Sequence, residues 1–186
     1  MISSREALYA IHELRRNALV VATMTGRREW DSFSTRPNQD VAVAAMGKAS
    51  SVALGLALAQ PKRKVIVIDG DGSLLMNLGA LASVAGKAPE NFVHIVLENG
   101  GYTNTGGEPT PGAELVSFHT LAKGAGYANA YEYDNLEEFQ TDVEGILRER
   151  GPVFICLHVR HEPMPRTEMR SPAQTMQDMK EMLAKG

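Results

Sequence analysis

The chain has 186 residues, 44% hydrophobic and 22% charged, with a formal net charge of −3 and one cysteine; that length suits one domain with a full core. The acidic balance lacks the basic stripe that a phosphate backbone demands, which excludes nucleic acid as the main partner. No apolar stretch approaches the ~20 residues of a membrane span, and the N-terminus lacks a cationic segment followed by an apolar one, so a cytoplasmic protein with no membrane partner is expected.

Residues 4–16 read as a helix capped by Ser3 or Ser4, with Ala7, Leu8, Ile11 and Leu14 on one stripe. A short buried strand follows at 18–22, then a polar turn at 23–28 and a helical turn at 28–33. A second strand is predicted at 41–44, and a small-residue helix at 47–59 that can approach a sheet closely. The solvated Pro61-Lys62-Arg63-Lys64 leads into a central strand at 64–69. A helix at 73–85 and a strand at 92–97 come next. Residues 100–112, rich in Gly, Thr and Pro, have the length of a functional loop. Then come a helix at 114–124, a strand at 128–131, a helix at 135–149 and a strand at 153–159. Cys156, inside that last apolar run, reads as a buried thiol with no internal disulfide. An extended tail at 160–171 precedes a Met-rich helix at 174–184.

Alternating strands and helices imply a doubly wound α/β fold, a mostly parallel sheet with helices on both faces. Runs such as Val65-Ile66-Val67-Ile68 fit strands buried on both sides. Two turns stand out. The first is Asp69-Gly70-Asp71-Gly72-Ser73, and the second is Glu98-Asn99-Gly100-Gly101-Tyr102. Both follow apolar runs, so both fall at carboxyl ends of strands, where open α/β folds bind ligands. The Asp71 carboxylate, the Asn99 amide oxygen and a backbone carbonyl near Gly101 are hard oxygen donors of the kind Mg²⁺ takes while sharing a diphosphate. Gly70-Asp71-Gly72 alone also suits a plain tight turn.

This arrangement resembles the thiamine-diphosphate motif, a Gly-Asp-Gly followed at a characteristic distance by Asn-Asn. Asn99 lies 28 residues after Asp71, and Glu98 stands where the first Asn of the pair is usual. The resemblance implies the diphosphate-binding (PP-type) domain of a thiamine-diphosphate enzyme, spanning residues 1–186 with a tail at 160–186. It implies metal ligation by Asp71, Asn99 and the Gly101 carbonyl. It implies diphosphate contacts from Gly70, Gly72 and Ser73, with Tyr102 beside them. Met46, just before Gly47 and 25 residues ahead of Asp71, takes the place of the apolar wedge that bends the cofactor into a V. Ala44 and Met46 would offer backbone to the aminopyrimidine, although a core methionine is the other reading of Met46. Thr25-Gly26 would lie near the diphosphate as anion donors, or form a simple strand-to-helix turn.

The longer stretches Gly55-Leu56-Ala57-Leu58-Ala59-Gln60-Pro61, Leu74-Leu75-Met76-Asn77-Leu78-Gly79, Thr105-Gly106-Gly107 and Pro165-Arg166 are similar to the β subunit of sulfopyruvate decarboxylase and the matching half of phosphonopyruvate decarboxylase. That likeness implies decarboxylation of a small anionic 2-oxo acid with thiamine diphosphate and Mg²⁺. It also implies a hetero-oligomer, because the Glu that activates the pyrimidine belongs to a separate pyrimidine-binding domain, here an α subunit. Residues 163–186 are a candidate contact surface for it. Arg27, Arg28, Lys48, Arg160 and Arg166 are candidate cations for the anionic substrate, and His119 is a candidate for proton transfer or a structural helix residue. An acetolactate-synthase-like carboligase and a non-catalytic binding module are the alternatives.

Overall fold

The structure, a computed structural model, describes residues 1–163 and 168–185. Its strands are β1 (Leu19–Thr23), β2 (Asp40–Val43), β3 (Val65–Gly70), β4 (Phe92–Glu98), β5 (Gly101–Tyr102), β6 (Glu108–Pro109), β7 (Asn129–Tyr133) and β8 (Val153–His158). Six of them form a parallel sheet in the order β2-β1-β3-β4-β8-β7, and β5 and β6 pair as a short antiparallel hairpin. The helices are α1 (Ser4–Leu14), α2 (Met24–Asp31), α3 (Ala49–Ala59), α4 (Asp71–Leu75), α5 (Gly79–Lys87), α6 (Phe118–Ala125), α7 (Leu136–Arg148) and α8 (Pro172–Ala184).

Successive strand residues point to opposite faces, and both faces are covered. On one, Leu8, Trp30 and Phe139 from α1, α2 and α7 meet Val20, Ile66, Ile95 and Ile155. On the other, Ala53, Val84, Phe118 and Met179 from α3, α5, α6 and α8 meet Val21, Val67, Val96 and Phe154. Ala49, Ala53 and Ala57 repeat every four residues, so α3 presents a smooth small-residue stripe to the sheet. From β1 the chain crosses to β2 on one side, then returns to β3 on the other. That reversal opens a crevice above the carboxyl ends of β1 and β3.

Four local departures from the sequence expectations matter for the site. Residues 23–28 are not a polar turn: α2 begins directly after β1, with Met24 at φ 47, and carries Gly26, Arg27, Glu29 and Trp30 to buried positions. The expected helix at 73–85 is two helices, broken at 76–78, where Asn77 Nδ2 donates to Gly47 O at 2.9 Å. An Asn amide that bonds to backbone competes with the helix ladder. The helix expected from 114 starts at Phe118, because the Ser117 hydroxyl accepts from Thr120 N at 3.1 Å and caps it there. Within 100–112 the loop folds back as the β5–β6 hairpin, with Gly101 opposite Pro109.

The terminal helix closes the open edge of the sheet. Thr175 Oγ1 accepts from Ala42 N at 3.0 Å and donates to Pro172 O at 2.8 Å, and Met179 is buried beside β2. One face of the helix in the segment considered for a partner, with Thr175 and Met179, therefore packs inside the chain, where it blunts an edge strand. Thr175→Ala leaves the Ala42 N–H buried without an acceptor. It is expected to lower the unfolding free energy by about 1–3 kcal/mol, read as a shift in the urea midpoint at constant slope.

Candidate cofactor site

A cleft opens above the carboxyl ends of β1, β3 and β4. The start of α2 gives it Thr25 and Gly26, the turn after β2 gives Met46, the turn after β3 gives Gly70, Asp71, Gly72 and Ser73, and the turn after β4 gives Asn99, Gly101 and Tyr102. Ten of the positions expected from the sequence thus share one cavity.

Asp71 holds the two central turns together. Its Oδ1 accepts from Gly72 N at 2.7 Å, and its Oδ2 accepts from Asn99 N at 3.1 Å and Gly100 N at 2.7 Å. The adjacent register of β3 and β4, Gly70 opposite Leu97, brings the turns within reach. The Asp71 side chain is buried, and burial pushes its carboxyl above the usual carboxylate range while the three backbone N–H groups pull it back. Asn99 Oδ1 accepts from Gly101 N at 3.0 Å, and its Nδ2 donates to Thr103 Oγ1 at 2.9 Å. This fixes which way the amide faces. A buried carboxylate beside an oriented amide oxygen is a donor set that fits Mg²⁺.

Two glycines let the walls close. A Cβ on Gly72 would lie 2.4 Å from the Tyr102 ring, and one on Gly26 would lie 2.4 Å from Ile68 Cγ2. Met46 projects half-buried from a turn that is tied on both sides. Gly47, at φ 71, donates its N–H to Ser73 Oγ at 3.0 Å and accepts from Asn77. Ser73 accepts in that bond, and among the described residues its own hydroxyl hydrogen has no acceptor, which leaves it available to an anion.

The remaining candidates fall elsewhere. Ala44 is exposed and does not line the cleft, because the chain turns outward between β2 and Met46. His119 sits on α6, and among the described residues α6 contributes nothing to the cavity wall. Arg27 is buried against Asp31 at 3.4 Å and reaches Arg170 O. Lys48 caps α3 at the surface, and Arg28 is outside the lining. Arg160 is the cationic candidate at the cleft, with Nε 2.8 Å from Glu162 Oε1. Pro165 and Arg166 lie outside the described residues.

Sequence reasoning missed Ser4, Glu29, His161 and Glu162, all on the cleft wall. Glu29 is signalled by its spacing: it follows Thr25 by one helical turn, which matters only once 24–31 is read as a helix. It also missed two polar clusters, one buried and one partly exposed. Asp69 Oδ2 lies 3.7 Å from His94 Nε2, and His94 Nδ1 lies 3.1 Å from the Tyr127 hydroxyl. Beside them, Cys156 Sγ donates to Glu98 Oε2 at 2.9 Å, and His158 stands between Glu98 and Glu132.

Residues 21–157 match the family described as thiamine pyrophosphate enzyme, C-terminal TPP binding domain, and the chain belongs to that family. Over 161 residues it is 41% identical to a phosphonopyruvate decarboxylase of Streptomyces hygroscopicus, covering 86% of this chain and 39% of that protein. Over 163 residues it is 35% identical to the sulfopyruvate decarboxylase subunit beta of Methanothermobacter thermautotrophicus, covering 86% of this chain and 83% of that subunit. The chain therefore spans well under half of the Streptomyces relative but most of the archaeal subunit. An X-ray structure from Mycobacterium smegmatis, assigned to a thiamin diphosphate-dependent enzyme, shares the fold: TM-score 0.73 at 20% identity, over 87% of this chain and 32% of that one.

Gly72→Ala drives a methyl into the Tyr102 ring. It is expected to cost about 1–3 kcal/mol of stability, the range for overpacking, and to weaken binding of thiamine diphosphate, both measurable by calorimetry on the same preparation.

Proposed function

We propose that this chain is the diphosphate- and Mg²⁺-binding subunit of a thiamine-diphosphate-dependent decarboxylase of small anionic 2-oxo acids. A separate chain with a pyrimidine-binding domain would complete it as a hetero-oligomer and supply the activating Glu. The observation that carries the reading is the Asp71 carboxylate, which joins the turns after β3 and β4 at the switch point of the sheet. Membership of the family and the likeness to an archaeal subunit named beta support it.

In this reading Asp71, Asn99 and the Gly101 carbonyl hold the metal. Ser73 gives its free hydroxyl hydrogen to the diphosphate, and the Gly72 N–H stays on Asp71. The first turn of α2, with Thr25 and Gly26, faces the same anion, where helix N–H groups favour negative charge. Met46, fixed through Gly47, supports the bend of the cofactor. The bound cofactor supplies an electron sink for the pair released as CO₂ departs. Arg160, at the open side of the cleft, suits the second anionic group of a sulfonate or phosphonate substrate, with Glu162 holding its guanidinium in place. Tyr102 and the β5–β6 hairpin wall the cleft against water.

The test is co-expression with a pyrimidine-domain partner, followed by CO₂ release from pyruvate, sulfopyruvate and phosphonopyruvate. The wild-type pair is expected to release CO₂ only with thiamine diphosphate and Mg²⁺ present. Asp71→Asn removes the charge and keeps an oxygen for the Asn99 and Gly100 N–H groups, while the Gly72 N–H loses its acceptor. It is expected to retain the fold and lose both metal-dependent cofactor binding and turnover; turnover at the wild-type rate would overturn the reading. Acetolactate as product in place of an aldehyde would select the carboligase alternative.

A further inference from the structure

Three carboxylates line the cleft, and two of them are fully partnered. Asp71 accepts three backbone N–H groups. Glu162 accepts from Ser3 Oγ at 2.9 Å and from Arg160 Nε at 2.8 Å. Glu29 is different. It is only 4% exposed, its Oε1 accepts from Ser4 Oγ at 2.7 Å, and its Oε2 is buried with no hydrogen-bond partner among the described residues.

An ionised carboxylate with a bare, buried oxygen is expensive, and the cost disappears when that oxygen carries a proton. Burial pushes the Glu29 carboxyl above its usual range, and the Ser4 hydrogen bond opposes it. Glu162 pushes the same way as burial, and Arg5 on α1 pushes back. Tyr102, Arg160, His161 and Asp71 are the other charged or titratable groups on this wall. The local surroundings thus favour an acid, held by α1 on one oxygen and free on the other. Because Glu29 sits one turn beyond Thr25 on α2, it faces the same cavity as the anion-binding end of that helix.

We propose that Glu29 is a catalytic residue of this site, a general acid whose Oε2–H protonates the substrate-derived carbon after CO₂ has left. The inference rests on the decarboxylase reading above. The C–C bond to the carboxylate breaks, and its electron pair stays on the carbon. That pair forms a new C–H bond with the Glu29 proton as the O–H bond breaks, leaving Glu29 as a carboxylate. Glu29 then regains its proton from solvent, and the product leaves as an aldehyde. No oxidant is consumed.

The first measurement needs no turnover. Infrared spectra of the purified chain near neutral pH are expected to show a protonated-carboxyl band that is missing in Glu29→Gln; absence of that band from the wild type overturns the proposal. The Gln carbonyl still accepts from Ser4, so an unchanged melting curve is expected. Should Glu29→Gln melt early, Glu29→Asp, which draws the acid back by one methylene, takes its place in the kinetic comparison. In the co-expressed complex, aldehyde formation by the variant is expected to fall by about 100-fold or more, the usual contribution of a positioned acid. CO₂ release coupled to an artificial electron acceptor is expected to fall far less. There the acceptor removes two electrons, water supplies the oxygen, and a carboxylic acid forms without protonation at carbon. Equal loss of both activities, or aldehyde formation at the wild-type rate, overturns the role of Glu29 while leaving the decarboxylase reading intact. A wild-type complex that releases no CO₂ from any of the three acids sinks the decarboxylase reading, and this proposal with it.

Discussion

Everything at the cleft depends on one carboxylate being shared by two turns. Asp71 belongs to the turn after β3, yet two of its three N–H partners belong to the turn after β4. A carboxylate has about four acceptor sites, and Asp71 uses three of them on backbone. Oδ2 takes both cross-turn bonds and Oδ1 takes only Gly72. The geometry therefore leaves acceptor capacity on Oδ1 while the turns stay tied through Oδ2. A cation can be taken up without first dismantling the tie that positions Asn99 and Gly101.

Neighbouring acids in the same turn have different roles because β3 ends between them: Asp69 is still in the strand and Asp71 opens α4. Asp69, two residues earlier, bonds Gly70 N at 2.9 Å and faces the buried His94. It anchors the end of β3 from beneath. At the far edge of the sheet, Arg15 at the end of α1 pairs with Asp40 at the start of β2 at 2.8 Å and stacks on Trp30 at 5.2 Å. Burial lowers the Arg15 pKa against the pull of Asp40, so the pair is kept by hydrogen bonds to Ala18 O and Gln39 rather than by charge alone. These pairs lie below and beside the cleft, and they fix the strand ends from which its turns project.

The sheet was legible because its signal is composition. Val65 to Ile68 and Val153 to Leu157 are apolar without a break, and only a strand buried on both faces needs that. The Gly70-Asp71-Gly72 and Asn99 turns were legible because their residue types and spacing carry both a chemistry and a family resemblance, and the family is borne out. What escaped depends on side chains meeting across long separations. Nothing local to Asn77 announces that its amide bonds Gly47 and breaks a helix. Nothing local to Thr175 announces that it closes β2. The start of α2 was misread because Thr23 to Arg28 is polar, while its burial comes from tertiary contacts with α1 and β3 that no window of sequence contains.

That misreading had a chemical consequence, because the acid of the cleft rides on the missed helix. The number of donors around each carboxylate sorts the three. Asp71 has three N–H groups and Glu162 has a hydroxyl and a guanidinium, so each of these carboxyls is aligned by donors on both of its oxygens. Glu29 has one hydroxyl on Oε1 and, among the described residues, no partner on its buried Oε2, which favours keeping a proton there. Metal binding needs a carboxylate that is ionised at rest, and proton delivery needs one that is not. A single cleft can host both only if their hydrogen-bond environments differ, and the first helix supplies that difference by leaning Ser4 against Glu29, with no second donor among the described residues.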